Sequence, residues 1–192
     1  MATVDIDVTA CRGRQRRLLE RMAELKLDLA IVTQIEHIQW LIGPRFDWKL
    51  QPLAALRADG HAMLVAPADS NEQAASDEIL QYDAKWLATL RQDQRSAAAE
   101  VLLQTLKSRA AAAAIGVEVS SFPPCLGRSL SAKLIDIEPT LLYLRRRKDA
   151  DELTRLKRAI AATGGTLNRW RVPPRVRGRP AADRSAIRPI HS

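Results

Sequence analysis

The sequence predicts an α/β layered domain with a mixed sheet, and two observations carry that prediction. Short apolar runs of strand length alternate with longer segments of helical period, the pattern of helices packed on a largely parallel sheet. One pair of apolar runs is instead joined by Ala58-Asp59-Gly60. Asp-Gly tolerates positive φ and marks an antiparallel hairpin, so the sheet should be mixed. A chain of 192 residues has room for one domain with a substantial core, or two small ones.

The elements follow in chain order. Residues 12–27 place Leu18, Leu19, Met22 and Leu25 on one helical face, with Arg and Glu opposite. Asp28 precedes the run 29–32, Leu-Ala-Ile-Val, a buried strand. A turn or short helix at 34–39 leads to Trp40-Leu41-Ile42 and the breaker Gly43-Pro44. Residues 45–49 mix aromatics with charges without a period and read as a loop. Strands are expected at 53–57 and 61–66, and a shorter one at 79–82. Ser96 should cap a helix to about residue 109, with Val101, Leu102 and Leu106 inward. Five alanines precede a strand at 115–119. Proline fits a first helical turn, so a helix is expected from 124 to 133, then a last strand at 134–137.

The segment 141–163 is an apolar strip, four cations from Arg145 to Lys148, and a helix. Asp149 and Glu152 have capping-box spacing, and Leu153, Leu156 and Ile160 form one apolar face. Gly164-Gly165 should stop this helix. The expected organisation is a domain at 12–148, a connector helix at 149–163, and a disordered Arg/Pro-rich tail at 164–192.

Composition narrows the function. The hydrophobic fraction of 46% suits a globular chain. No apolar run approaches the roughly 18 residues of a membrane span. The N-terminus lacks a signal-peptide pattern, so a cytoplasmic location is expected. Cys11 and Cys125 stand alone, outside any CxxC pair, and read as ordinary thiols. Of the +8 net charge, most lies in the tail, where seven Arg face one Asp across 164–192. The remaining chain is near neutral, which argues against a nucleic-acid-binding domain.

Chemistry-bearing motifs are sparse. His37, His61 and His191 lack partners at metal-ligand spacing. No GxxxxGK[ST], GxGxxG or GxSxG run is present. Glu118 is a strand-end carboxylate, weak evidence by itself. Arg145–Lys148 is a phosphate-binding or import patch, or else a solvated junction between domains. Phe46 and Trp48 are the candidate interface or cleft-lining residues, the alternative being a Trp folded into the core. No catalytic or metal-binding residue is assigned.

The order of motifs then carries a resemblance. Arg-Arg-Leu-Leu-Glu-Arg-Met at 16–22, Leu-Asp-Leu-Ala-Ile-Val-Thr at 27–33 and His-Ile-Gln-Trp-Leu-Ile-Gly at 37–43 come first. Ala-Asp-Gly-His-Ala-Met-Leu-Val-Ala-Pro at 58–67, Ile-Gly-Val-Glu at 115–118 and Leu-Arg-Arg-Arg-Lys-Asp-Ala-Asp-Glu-Leu at 144–153 follow. Together, over about residues 12–163, they resemble the N-terminal domain of the Xaa-Pro aminopeptidase, prolidase and creatinase family. The resemblance implies an α/β domain with a mixed sheet of about six strands, which helps form dimers and walls the substrate cleft. It also implies a following "pita-bread" catalytic domain, a metallopeptidase (hydrolase) unit. There two Asp, one His and two Glu hold two divalent ions, and a bridging hydroxide attacks the Xaa-Pro bond; creatinase shares the fold without the metals.

Only 29 residues follow Thr163, and none of those five ligands is assigned to them. The chain is therefore read as a truncated member, natural or the product of a frameshift, and inactive alone. No cofactor is expected in it. Its expected partners are a second copy or the missing catalytic domain, with proline-containing peptides implied by resemblance only. Leu153, Leu156 and Ile160 would then form an exposed connector face. The alternative is a binding module whose basic tail engages nucleic acid or another acidic partner.

Overall fold

The computed structural model describes residues 7–68, 73–107 and 112–169, the last six of these as backbone. The chain divides into two units, Met1–Asp151 and Glu152–Ser192. In the first, helix α1 (Val8–Leu25) starts earlier than the periodicity suggested. Asp7 caps it, accepting from the Ala10 amide at 2.9 Å. Lys26 ends it with φ 54°. Cys11, Arg14, Gln15, Leu18 and Met22 form its buried stripe, at the three-to-four-residue spacing of one helical face.

Strand β1 (Leu29–Val32) is buried throughout. Helix α2 (Ile35–Ile42) follows and ends at Gly43, whose φ of 103° suits a residue without Cβ. Strands β2 (Leu53–Arg57) and β3 (Ala62–Pro67) form the expected hairpin. Gly60 takes φ 89° in its turn, and Asp59 Oδ1 accepts from the His61 amide at 3.0 Å. Strand β4 (Glu78–Tyr82) runs parallel to β3. A small hairpin, β5 (Lys85–Trp86) with β6 (Thr89–Leu90), leads to α3 (Gln94–Lys107). Strand β7 (Ala114–Val117), α4 (Pro124–Ser129), β8 (Lys133–Asp136) and α5 (Glu138–Arg146) complete the unit.

The sheet has six strands in the order β4-β3-β2-β1-β7-β8. It is mixed, as expected. β1 pairs antiparallel with β2 and parallel with β7, with Ile31 opposite Ala55 on one side and Val117 on the other. Strand alternation sends side chains to both faces. Ala30 and Val32 join Leu18, Met22, Ile38, Leu41 and Leu141 in one core cluster, which also includes Leu56 and Leu64. Leu29 and Ile31 join Met63, Val65, Ala98, Leu102, Ile115 and Leu126 in the other. Helices therefore cover both faces of the sheet. Gly116 sits at a close approach: a Cβ there would lie 2.6 Å from Ile137 Cγ2 and 2.9 Å from Leu27 Cδ1.

Two local readings change. Residues 141–146 are not merely an apolar strip before cations. They lie in α5, which has proline in its first turn and buries Leu141 and Leu144. Helix α6 runs Ala150–Arg169, through the Gly164-Gly165 pair expected to stop it. Interior glycine costs a helix about 1 kcal/mol but leaves every backbone hydrogen bond available. Within the second unit, Leu153, Leu156 and Ile160 lie on α6. The tail expected to be disordered lies, from residue 170 on, outside the described residues. No helix among the described residues is long and apolar enough to cross a membrane.

Candidate partner-docking cleft

Phe46 and Trp48, neighbours in sequence, have opposite environments. Phe46 is 6% exposed and joins the core cluster that contains α1 and α2 residues. It packs into the core and also borders the cleft described below. Trp48 is 77% exposed, with the Lys49 ammonium 5.6 Å from its ring centroid. The physical reason is the turn between them. Asp47 Oδ1 accepts from the Lys49 amide at 3.0 Å, and the Asp47 carbonyl accepts from Leu50 at 2.9 Å. That turn reverses the chain after Phe46 enters the core, so Trp48 stands at its tip.

Beside this loop is an open cleft of about 500 Å³. Phe46, Leu50, Pro67 and Ala84 supply its apolar lining, and Arg45, Asp47, Asp83 and Lys85 its charged rim. Leu87, fully exposed at φ 54°, also lines it from the β5–β6 turn. Trp86 of the same hairpin is 65% exposed, with the Arg91 guanidinium 4.9 Å from its ring centroid. Alternating charge around an apolar floor suits a protein or peptide surface better than a single small anion.

Buried polar groups hold the cleft's two sides together. The Gln51 amide donates to Tyr82 Oη at 3.1 Å, and that hydroxyl donates to Gln94 Oε1 at 3.1 Å. Gln94 Nε2 donates to the carbonyls of Lys49 and Arg91, at 3.2 and 3.1 Å. Burial raises the Tyr82 pKa above its ordinary value, the Gln51 amide opposing it. The neutral phenol both accepts and donates in this bridge.

A second polar centre lies where β1 and β7 end. Glu118 is fully buried, and its carboxylate accepts from the amides of Thr33 and Gln34, the latter at 2.8 Å, and pairs with His37 Nδ1. Two residues read separately in the sequence thus meet. Backbone N–H groups at the start of α2 aim at this carboxylate, which stabilises a negative group there. His37 Nε2 is buried with no partner among the described residues. The donor set does not fit a divalent cation: the amides already direct positive dipole at the one carboxylate, and one imidazole is a single ligand. The centre ties α2 to the end of β7.

The third centre was missed in the sequence. Arg14 is 2% exposed on the buried stripe of α1. It donates from Nε to Asp149 Oδ2 at 2.9 Å, to the Trp40 carbonyl at 3.1 Å, and to Asp151. Arg17 donates to Asp149 at 2.8 Å. Burial acts to raise the Asp149 pKa, but the bonds from Arg17 and Arg14 outweigh it and hold the carboxyl below its usual value. Asp149, expected to start the connector helix, thus also fastens the chain at that point to α1. The available signal was a charged residue at a stripe position between Cys11 and Leu18.

Leu153, Leu156 and Ile160 are 45%, 47% and 70% exposed. Of the cationic run from Arg145 to Lys148, Arg145 and Arg146 end α5.

The fold and these contacts define an α/β domain with helices on both sheet faces, its last residues fastened to its first helix. The sequence profile of the Creatinase/Prolidase N-terminal domain matches residues 14–146, and the chain belongs to that family. The corresponding domain of an X-Pro dipeptidase from Streptococcus pyogenes is 16% identical with a TM-score of 0.53, over 68% of this chain and 98% of that one. A Xaa-Pro dipeptidase from Bacillus anthracis is 16% identical with a TM-score of 0.61, over 82% of this chain and 43% of that one. A dipeptidase from Mycobacterium ulcerans is 21% identical with a TM-score of 0.59, over 86% and 44%. This chain thus spans less than half the length of those two proteins. No curated protein matches the sequence.

Proposed function

We propose that residues 12–148 serve as the non-catalytic N-terminal domain of a Xaa-Pro peptidase-type protein, forming one wall of a substrate cleft and a contact between subunits. The observation that carries this reading is the charged-rimmed apolar cleft beside the exposed Trp48. Lengths support it too, since two dipeptidases of similar fold extend well beyond the region this chain covers. Helix α6 then leads toward the catalytic unit, and proline-containing peptides are the substrate class. The metal ligands belong to that unit, which would supply the hydrolytic chemistry.

Alone, the chain should not hydrolyse Xaa-Pro dipeptides or tripeptides with Mn²⁺, Co²⁺ or Zn²⁺ added, because activating water needs a held metal with an open position. Turnover that depends on metal and disappears with a chelator would overturn this. Trp48→Ala should weaken subunit contact while leaving the melting temperature nearly unchanged. Melting and sedimentation run side by side test it, and a large loss of stability with association intact would instead make Trp48 a packing residue.

A further inference from the structure

We infer that the outer face of α5, with the arginines at its end, is a docking surface for an anionic lipid membrane. The helix has two unlike faces. Leu141 and Leu144, three residues apart, are buried in the core cluster that also holds α1 and α2 residues. Leu142, Tyr143 and Arg146 lie at i, i+1 and i+4 on the other side and are exposed, the first two at 53% and 56%. The Arg21 guanidinium of α1 lies 5.6 Å from the Tyr143 ring centroid, which steadies the ring at the surface.

Charge selects the occupant. Arg145, Arg146 and Arg147 follow one another at the end of α5, and none pairs with a carboxylate among the described residues. Asp149, the next acidic residue in the chain, is bonded to Arg14 and Arg17 instead. A helix C-terminus favours cations by itself. That preference leaves the leucine and tyrosine turned outward one turn earlier without a reason. Arginines beside an exposed leucine and an aromatic ring are the composition of a segment lying in a lipid interface. The apolar side chains enter the headgroup boundary, the tyrosine keeps its hydroxyl at the wet edge, and the cations meet the anionic headgroups. A nucleic acid would engage the arginines alone and leave Leu142 in water.

This surface shares no residue with the cleft lining, so it stands apart from the cleft reading. The experiment uses the full chain, whose residues 164–192 carry seven further arginines that must be separated from those of α5. Co-sedimentation with vesicles of equal parts phosphatidylcholine and phosphatidylserine should show binding that pure phosphatidylcholine vesicles lack and that weakens as salt rises. Arg146→Glu with Arg147→Glu should weaken it at least about tenfold, and the same change of charge at Arg175 and Arg177 by no more than about threefold. Leu142→Ser, which leaves the charge unchanged, should weaken it by about threefold or more. Trp48→Ala should leave it unaltered.

Melting controls accompany each variant. If the double reversal disturbs folding, Arg146→Gln with Arg147→Gln takes its place. Absence of binding, equal binding to neutral vesicles, or indifference to either the Arg146/Arg147 change or Leu142→Ser overturns the inference. So does a tail change as damaging as the one in α5, which would make the contact a property of the tail. A single-stranded oligonucleotide that displaces the chain from vesicles at equal phosphate, and is itself released by the Arg146/Arg147 change, would make this a nucleic-acid surface instead. Vesicle binding lost in Trp48→Ala and kept in the α5 variants would move the contact to the cleft loop, and also overturns it.

Discussion

Helices α1 and α6 have nearly equal lengths, 18 and 20 residues, and both carry an apolar stripe at helical spacing. On α1, Leu18 and Met22 are 0% and 1% exposed; on α6, Leu156 and Ile160 are 47% and 70% exposed. The stripes are written in the same code. What differs is their burial among the described residues. Apolar periodicity specifies that a face wants burial, and does not specify which molecule provides it.

The comparison can be broken hardest at Arg14, the one charge on the buried stripe of α1. Arg14→Met should lower stability by about 3–5 kcal/mol, the usual cost of leaving buried charges without their partner. Denaturant unfolding measures this, and a loss below about 1 kcal/mol would mean Asp149 and Asp151 find solvent easily. Leu18→Ala comes next, at about 2–5 kcal/mol for a fully buried leucine. Its counterpart Leu156→Ala should change the stability of the monomer by less than about 0.5 kcal/mol.

Hydrogen exchange sharpens the same contrast. At concentrations low enough to hold the chain monomeric, amides from Leu153 to Ala161 should exchange faster than those of residues 18–25. Equal protection would show that α6 is covered within one chain. The smallest expected effect is a pH dependence. Asp149 has its pKa lowered in the folded chain. Its contribution to stability is therefore complete above the unfolded value, about 3.9, and is lost as pH falls through the lower folded value. Asp149→Asn should remove that part of the acid sensitivity, and an unchanged acid transition would show that other carboxylates dominate.

Legibility followed the directness of the signal. The β2–β3 hairpin was readable because Asp59-Gly60 is itself the turn. The β5–β6 hairpin was not, since its turn uses Leu87 at positive φ, where sequence rules expect Gly or Asn. In α5, the run Leu141-Leu142-Tyr143-Leu144 conceals a helical period, because only Leu141 and Leu144 are buried. Gly164-Gly165 was overread: a pair of glycines weakens a helix and does not forbid it. At the cleft, the aperiodic mix of aromatics and charges at 45–49 left both an exposed and a core Trp48 open; Trp48 is exposed, while Phe46, in the same charged context, packs inside. Tyr82 and Gln94, which brace the cleft, are far from the loop in sequence, and nothing in their spacing announced a contact. Likewise, no local pattern joined His37 to Glu118 across β1 and β7.

The reversal of strand direction at β1 has a kinetic consequence. Its antiparallel neighbour β2 lies close in sequence, while its parallel neighbour β7 comes after more than half the domain has been made. Contacts between distant segments require large loops to close first, which slows folding. The β1–β2–β3 half is therefore expected to assemble early, leaving one edge of β1 open until β7 arrives. During synthesis that edge is a row of unpaired backbone groups flanked by Ile31 and Val32, able to pair with another nascent chain. Aggregation of this protein should be set by how quickly β7 reaches β1, more than by the stability of the finished domain.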